Sequence, residues 1–246
     1  MRLRTFPRRA WRRITGMIRW ESRLHAREAR RFDRRLGVDT GGWIEPTDLT
    51  VSVGDVAEGF TYGGTQARLV RWCFDALPPD RSSFTFVDMG SGKGRVLLYA
   101  AEAGFGRSLG VEFAEELHSV ALANAEIAKR RSLSIEPVLG DAGAFEFPDE
   151  PLVVYFNNPF SERVMERVIA NLSASYERAP RPVIVLYQQL IVEWPAWQRT
   201  RNLELLEQVS FLTGRTLEPP KGPIDRRMLK LFVVGIYESP EVKRPS

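Results

Sequence analysis

The chain has 246 residues, 43% hydrophobic and 27% charged, the proportions of a soluble globular protein long enough for one domain with an appendage. A single cysteine, Cys73, excludes an internal disulfide and a cysteine-rich zinc site, and with only His25 and His118 as histidines no metal centre is expected. No run approaches the roughly 18 apolar residues of a membrane span and the N-terminus lacks a secretory core, so the expectation is a cytoplasmic protein.

The formal net charge of +4 is unevenly placed. Met1 to Arg35 holds thirteen arginines against Glu21, Glu28 and Asp33, about +10, which leaves the remainder about −6. Residues 1–36 read as a basic helical arm, with Trp11, Ile14 and Ile18 at helical spacing. Three uses compete for it: a solvated or weakly docked helix, a contact with nucleic acid or another acidic surface, and a membrane-surface helix. Residues 37–63 are punctuated by glycines and read as an irregular connector of a length that is usually functional or disordered. A helix follows, with Leu69, Val70, Cys73, Phe74 and Leu77 apolar. Thr65 is its expected N-cap, and Pro78 and Pro79 stop it. Cys73 falls on the apolar face and reads as core.

From residue 84 apolar runs alternate with helices. Strands are expected at 84–88, 107–112, 133–139, 151–156 and 182–187, and helices at 93–103, 114–130 and 161–174, the last capped by Ser161. Apolar strands in this alternation belong to a mostly parallel sheet covered on both faces. Leu203–Leu212 and Met228–Tyr237 read as a closing antiparallel pair, and 241–246 as a frayed tail.

The chain is organised around Phe84 to Gly94. An apolar run ends in Asp88, a tight loop carries Gly90, Ser91, Gly92 and Gly94, and a helix opens at once. Such a unit holds a small ligand at the strand's carboxyl end, where glycines let it approach the backbone and the helix offers free N–H groups. A P-loop needs Gly-Lys-Ser/Thr, and Lys93 is followed by Gly94 and Arg95. A dinucleotide fingerprint needs G-x-G-x-x-G, and counting from Gly90 puts Arg95 at the third glycine. What remains is acid-x-Gly-x-Gly-x-Gly. Glu112 ends the second strand, 24 residues after Asp88, where an acid can accept ribose hydroxyls. Asp141 ends the third, where it can accept from an adenine amine while the Ala142 backbone reads the ring edge. Its competing reading is a turn former in Gly-Asp-Ala-Gly. Lys93 and Arg95 can meet an anionic group or remain solvated.

With these acids at three successive strand ends, the stretch from Tyr62 to Tyr237 resembles the class I S-adenosylmethionine-dependent methyltransferases. The likeness is to a bacterial group without a settled substrate, on the marks Phe-Asp-Arg-Arg-Leu-Gly-Val-Asp-Thr (32–40), Val-Asp-Met-Gly-Ser-Gly-Lys-Gly-Arg (87–95), Gly-Val-Glu-Phe (110–113) and Asn-Pro-Phe (158–160). The resemblance implies a Rossmann-like, doubly wound α/β domain over 64–240. Its sheet would have seven mostly parallel strands and an antiparallel last strand. It also implies that Asp88, Gly90, Ser91, Gly92, Gly94, Glu112, Asp141 and Ala142 hold S-adenosyl-L-methionine.

Asn157-Asn158-Pro159-Phe160 ends the fourth strand. It is similar to the Asn/Asp-Pro-Pro-Phe/Tyr motif of amine methyltransferases, departing at Asn158, and to the Asn-Asn-Phe segment of nucleosomal lysine methyltransferases. Methyl transfer from a sulfonium needs a neutral lone pair aimed in line at carbon. An amide carbonyl of Asn157 or Asn158 can accept an N–H and aim it, while Phe160 stacks on a planar acceptor or excludes water. The competing reading is a structural Asn-Pro turn. Tyr62, Tyr187 and Gln188 are candidates for the wall of the acceptor pocket. The functional expectation is methyl transfer to an unidentified acceptor, with nitrogen on a protein side chain or nucleobase favoured. The alternative is a non-enzymatic S-adenosylmethionine- or nucleic-acid-binding module acting through the arm.

Overall fold

The computed structural model describes residues 26–45, 49–50, 62–157, 159–190, 196–217 and 232–242. Most of the arm, much of the connector, Asn158 and Met228–Leu231 therefore lie outside the described residues. The elements in order are helix α1 (26–36), β1 (Trp43–Ile44), β2 (Tyr62–Gly63), α2 (Ala67–Asp75), β3 (Thr85–Met89), α3 (Arg95–Glu102), β4 (Arg107–Glu112), α4 (Glu115–Lys129), β5 (Glu136–Leu139), a 3-10 turn at Ala142–Ala144, β6 (Leu152–Asn157), α5 (Glu162–Arg178), β7 (Val183–Leu190), α6 (Ala196–Glu207), β8 (Thr213–Thr216) and β9 (Phe232–Glu238).

Seven strands form one sheet in the order β5-β4-β3-β6-β7-β9-β8. The pairs from β5 to β7 are parallel, and β9 runs antiparallel to both β7 and β8. The α/β expectation, with its antiparallel last strand, is met. Alternate residues along each central strand feed two separate cores. Phe86, Tyr155, Ile184 and Ile236 join α1 to α4 on one face. Val87, Val154, Phe156 and Val185 join α5 and α6 on the other. Burial on both faces is why these strands read as continuous apolar runs. Helix α1 enters the first core through Phe32 and Leu36, with Ala29 also buried.

Two expectations change. Leu203–Leu212 is not a strand. It begins as the last turn of α6 and continues to Leu212, with Leu206, Val209 and Leu212 buried at threefold spacing. The pairing partner of β9 starts only at Thr213. Thr65 does not cap α2. Gln66 holds that place and makes no side-chain capping bond. Ser161 does cap α5, accepting from the Val164 N–H. Ser239 ties the end of β9 to Arg181 and Val183, and its carbonyl accepts from the Val242 N–H.

Strand β3 is central. The chain leaves it for β4 on one side and returns to β6 on the other, so a crevice opens at the carboxyl ends of β3 and β6. That switch point is where an open α/β sheet holds its ligand.

Candidate active site

The glycine loop runs from β3 into α3, and its first turn hangs on β4. The N–H groups of Gly90 and Ser91 both donate to the Val111 carbonyl, at 2.9 and 3.0 Å. Gly90, Gly92 and Gly94 all adopt positive φ, at 88°, 53° and 81°. At Gly92 the conformation combines with a close approach, because a Cβ there would run into the Tyr62 ring. Any other residue would carry both the left-handed strain and that clash.

Glu112, at the end of β4, closes the loop from below. Its Oε2 accepts the Gly92 N–H at 2.7 Å, and Oε1 accepts those of Phe113 and Ala114 at 3.0 and 2.9 Å. Burial pushes its carboxyl up, and the three main-chain donors oppose that shift. Asp88, at the end of β3, differs. It is 3% exposed, lines the crevice and has no hydrogen-bond partner among the described residues. Burial, then the charge of Glu112, holds its carboxyl well above the usual range.

Two chain segments before the sheet strap this loop. Lys93 Nζ donates to Asp39 and to the Gly41 carbonyl, both at 2.9 Å, and lies 5.9 Å from the Tyr62 ring centroid. Arg95 is 3% exposed and among the described residues bonds only neutral groups: Thr40 Oγ1 at 2.8 Å, the Thr40 carbonyl at 2.6 Å and the Thr65 carbonyl at 3.4 Å. Asn124 of α4 bonds the main chain of both Asp39 and Lys93. The segment 32–40, singled out in the sequence, is thus the part that grips the loop. Tyr62 belongs to the second strapping segment. Its hydroxyl donates to the Thr40 carbonyl at 2.8 Å, and burial raises the phenol.

The crevice brings together Asp88, Gly90, Ser91, Glu112, Asn157, Pro159, Phe160 and Tyr62 around a cavity of about 120 Å³. Sequence reasoning missed Thr65, Phe113 and Leu117, which also line it. Thr65 carried the signal of a helix cap, and nothing local distinguished its other use. Asp141 and Ala142 are outside this lining. Asp141 Oδ1 accepts the Gly143 N–H at 2.8 Å, as a turn former does, and Oδ2 pairs with Arg167 at 2.9 Å. Tyr187 is corrected. It is fully buried in the second core, with its ring against Phe156 and its hydroxyl accepting from Asn202, rather than in the lining. Asn157 accepts from Gln188 and donates to Thr65, at 3.0 and 2.9 Å.

A loop of bare glycines beside a buried, unpartnered carboxylate and a buried guanidinium suits a small zwitterion with a ribose attached. The fold and the glycine loop at its switch point are similar to those of the class I S-adenosylmethionine-dependent methyltransferases. A family model for "Histone methylation protein DOT1" matches residues 55–134, a third of the chain. No curated protein matches significantly. Among solved structures, cofactor-bound Rv0187 from MTB is 15% identical, with 73% of this chain and 82% of that one covered and a TM-score of 0.51. The [4+2]-cyclase SpnF is also 15% identical, with 70% and 81% covered and a TM-score of 0.51. An RNA methyltransferase from Salinibacter ruber is 20% identical, with 74% and 96% covered and a TM-score of 0.47. At these identities the likeness is one of fold, and the acceptor must be argued from the site. No helix among the described residues is long and apolar enough to cross a membrane.

Proposed function

We propose that the protein transfers a methyl group from S-adenosyl-L-methionine to an acceptor nitrogen, on a protein side chain or a nucleobase, presented beside Asn157 and Phe160. The observation that carries this reading is Asp88, a buried carboxyl that faces the crevice with no hydrogen-bond partner among the described residues. A bound ammonium satisfies it, and Arg95, lacking an acidic partner in its hydrogen bonds, suits the neighbouring carboxylate. Glu112 uses one lone pair of Oε2 on Gly92, and its remaining capacity suits a ribose hydroxyl. Asp141 and Ala142 take the adenine in this reading, with Arg167 and Gly143 holding the Asp141 carboxylate in place.

When bound, the cofactor supplies an electrophilic methyl on sulfonium. Asn157 accepts an N–H of the acceptor and so directs its lone pair, Phe160 shields the site from water, and Asn158 is adjacent in sequence. The DOT1 model match supports a protein side chain as acceptor.

Calorimetric titration with S-adenosylmethionine and S-adenosylhomocysteine tests the reading, with Glu112→Ala and Asp141→Ala beside the wild type. Micromolar binding weakened by both changes supports it. Absence of binding to the folded wild type removes it. A second reading rests on α1, where Arg27, Arg30, Arg31 and Arg34 are exposed with no ion-pair partner among the described residues. In that case nucleic-acid binding through the arm is the main function. Its mark is a steep salt dependence whose slope falls when these four become glutamine. Substitution is preferable to truncation because Phe32 and Leu36 belong to the core.

A further inference from the structure

A carboxylate that grips both hydroxyls of a ribose turns one oxygen to each of them. Glu112 lines the crevice, but the chain around it has already claimed most of its acceptor capacity. The chain passes from β4 into α4 through Phe113 and Ala114, and Ala114 stands at the N-cap of α4 with no side-chain oxygen of its own to offer that turn. Glu112 answers the turn instead. Its Oε1 accepts the N–H groups of Phe113 and Ala114, at 3.0 and 2.9 Å. Its Oε2 accepts the Gly92 N–H at 2.7 Å and so ties the glycine loop to the end of β4.

An ionised carboxylate offers about four lone-pair sites, two on each oxygen. Two main-chain donors fill Oε1, and one donor leaves Oε2 with a single site. Glu112 is 4% exposed and Ala114 is fully buried, so giving up the Ala114 bond would strand an N–H that water does not reach. The one-oxygen-per-hydroxyl grip is therefore closed to this residue as it stands. A single ribose hydroxyl, donating to Oε2 beside the Gly92 N–H, remains open to it.

On the methyl-transfer reading, we propose that Glu112 recognises one ribose hydroxyl of the cofactor rather than two, so that the site tells the 2′ position from the 3′ position. The competing arrangement is a symmetric grip, in which Glu112 releases a main-chain donor as the ligand enters.

Calorimetric titration of the wild type with S-adenosylhomocysteine and with its 2′-deoxy, 3′-deoxy and 2′,3′-dideoxy forms separates the two. One monodeoxy compound should bind about 10- to 150-fold more weakly than S-adenosylhomocysteine, the worth of a hydrogen bond to a charged acceptor, and the other within about threefold of it. The dideoxy compound should bind like the weaker of the two. Glu112→Ala should bring the two monodeoxy compounds within about threefold of each other.

Comparable losses for the two monodeoxy compounds, whether large or small, overturn the proposal. A dideoxy loss well beyond that of the weaker compound does the same, as does a difference between the two that survives in a folded Glu112→Ala. The wild-type series decides the matter by itself if that variant does not fold. A folded wild type that binds none of the four compounds overturns the methyl-transfer reading itself.

Discussion

Asp88→Asn removes a buried carboxyl that has no hydrogen-bond partner among the described residues. In the unfolded chain Asp88 titrates near its ordinary value of 3.8, and in the folded protein burial and Glu112 hold it well above that. Between the two values the folded state keeps a proton that the unfolded state has released. Stability therefore falls as pH climbs from about 3.8 through the folded value, and above it the full penalty applies. Asparagine is of the same size and does not titrate. Without ligand, the variant should gain on the wild type by up to about 1.4 kcal/mol for each pH unit between the two values, so its melting advantage should be larger at pH 8 than at pH 5. Its affinity for S-adenosylhomocysteine should drop roughly 10- to 150-fold, because a charged hydrogen bond to the ammonium is worth about 1.5–3 kcal/mol. Thermal melts at pH 5 and 8 with calorimetric titration read both effects. The opposite signs are the signature of a charge kept for a ligand. A variant that is less stable and binds as tightly as wild type refutes the assignment of Asp88.

Gly92→Ala places a Cβ against Tyr62 at a φ of 53°, so it should cost about 1–2 kcal/mol of stability and weaken S-adenosylhomocysteine more than tenfold. Wild-type affinity would show that the loop does not approach the ligand. Phe86, fully buried against Phe74, Phe105 and Tyr155, should cost about 3–5 kcal/mol in urea denaturation when changed to alanine. A loss under 1 kcal/mol would mean that this face is not the core. Burial pushes the Cys73 thiol up to about 12, so a thiol reagent at pH 8 should label it only on unfolding, and labelling at the rate of a free thiol would contradict its burial.

The legible parts of the chain share one property: their meaning is local. Gly90, Gly92 and Gly94 stand where positive φ is required, and a glycine is the residue type that announces this. The central strands are apolar throughout because both faces are covered, and that pattern survives in one dimension. Leu203–Leu212 failed because alternation and threefold spacing coexist in Leu-Glu-Leu-Leu-Glu. Only the burial of Leu206, Val209 and Leu212 selects between them. Tyr187 failed because β7 runs on to Leu190, so the residue lies inside the strand, turned towards α6 and the core.

By itself the sequence determined the doubly wound sheet, the loop at its switch point and the acids that end its strands, because each follows from residue type and spacing along a few turns of chain. Tertiary structure decided what those groups are free to do. Asp141 is taken up by Arg167 and Gly143, Glu112 by three N–H groups, while Asp88 is left open to the crevice. Thr65 meets Asn157 across 92 positions rather than capping its own helix. A hydrogen bond is satisfied by whatever group the fold brings within about 3 Å, and sequence separation places no constraint on that choice.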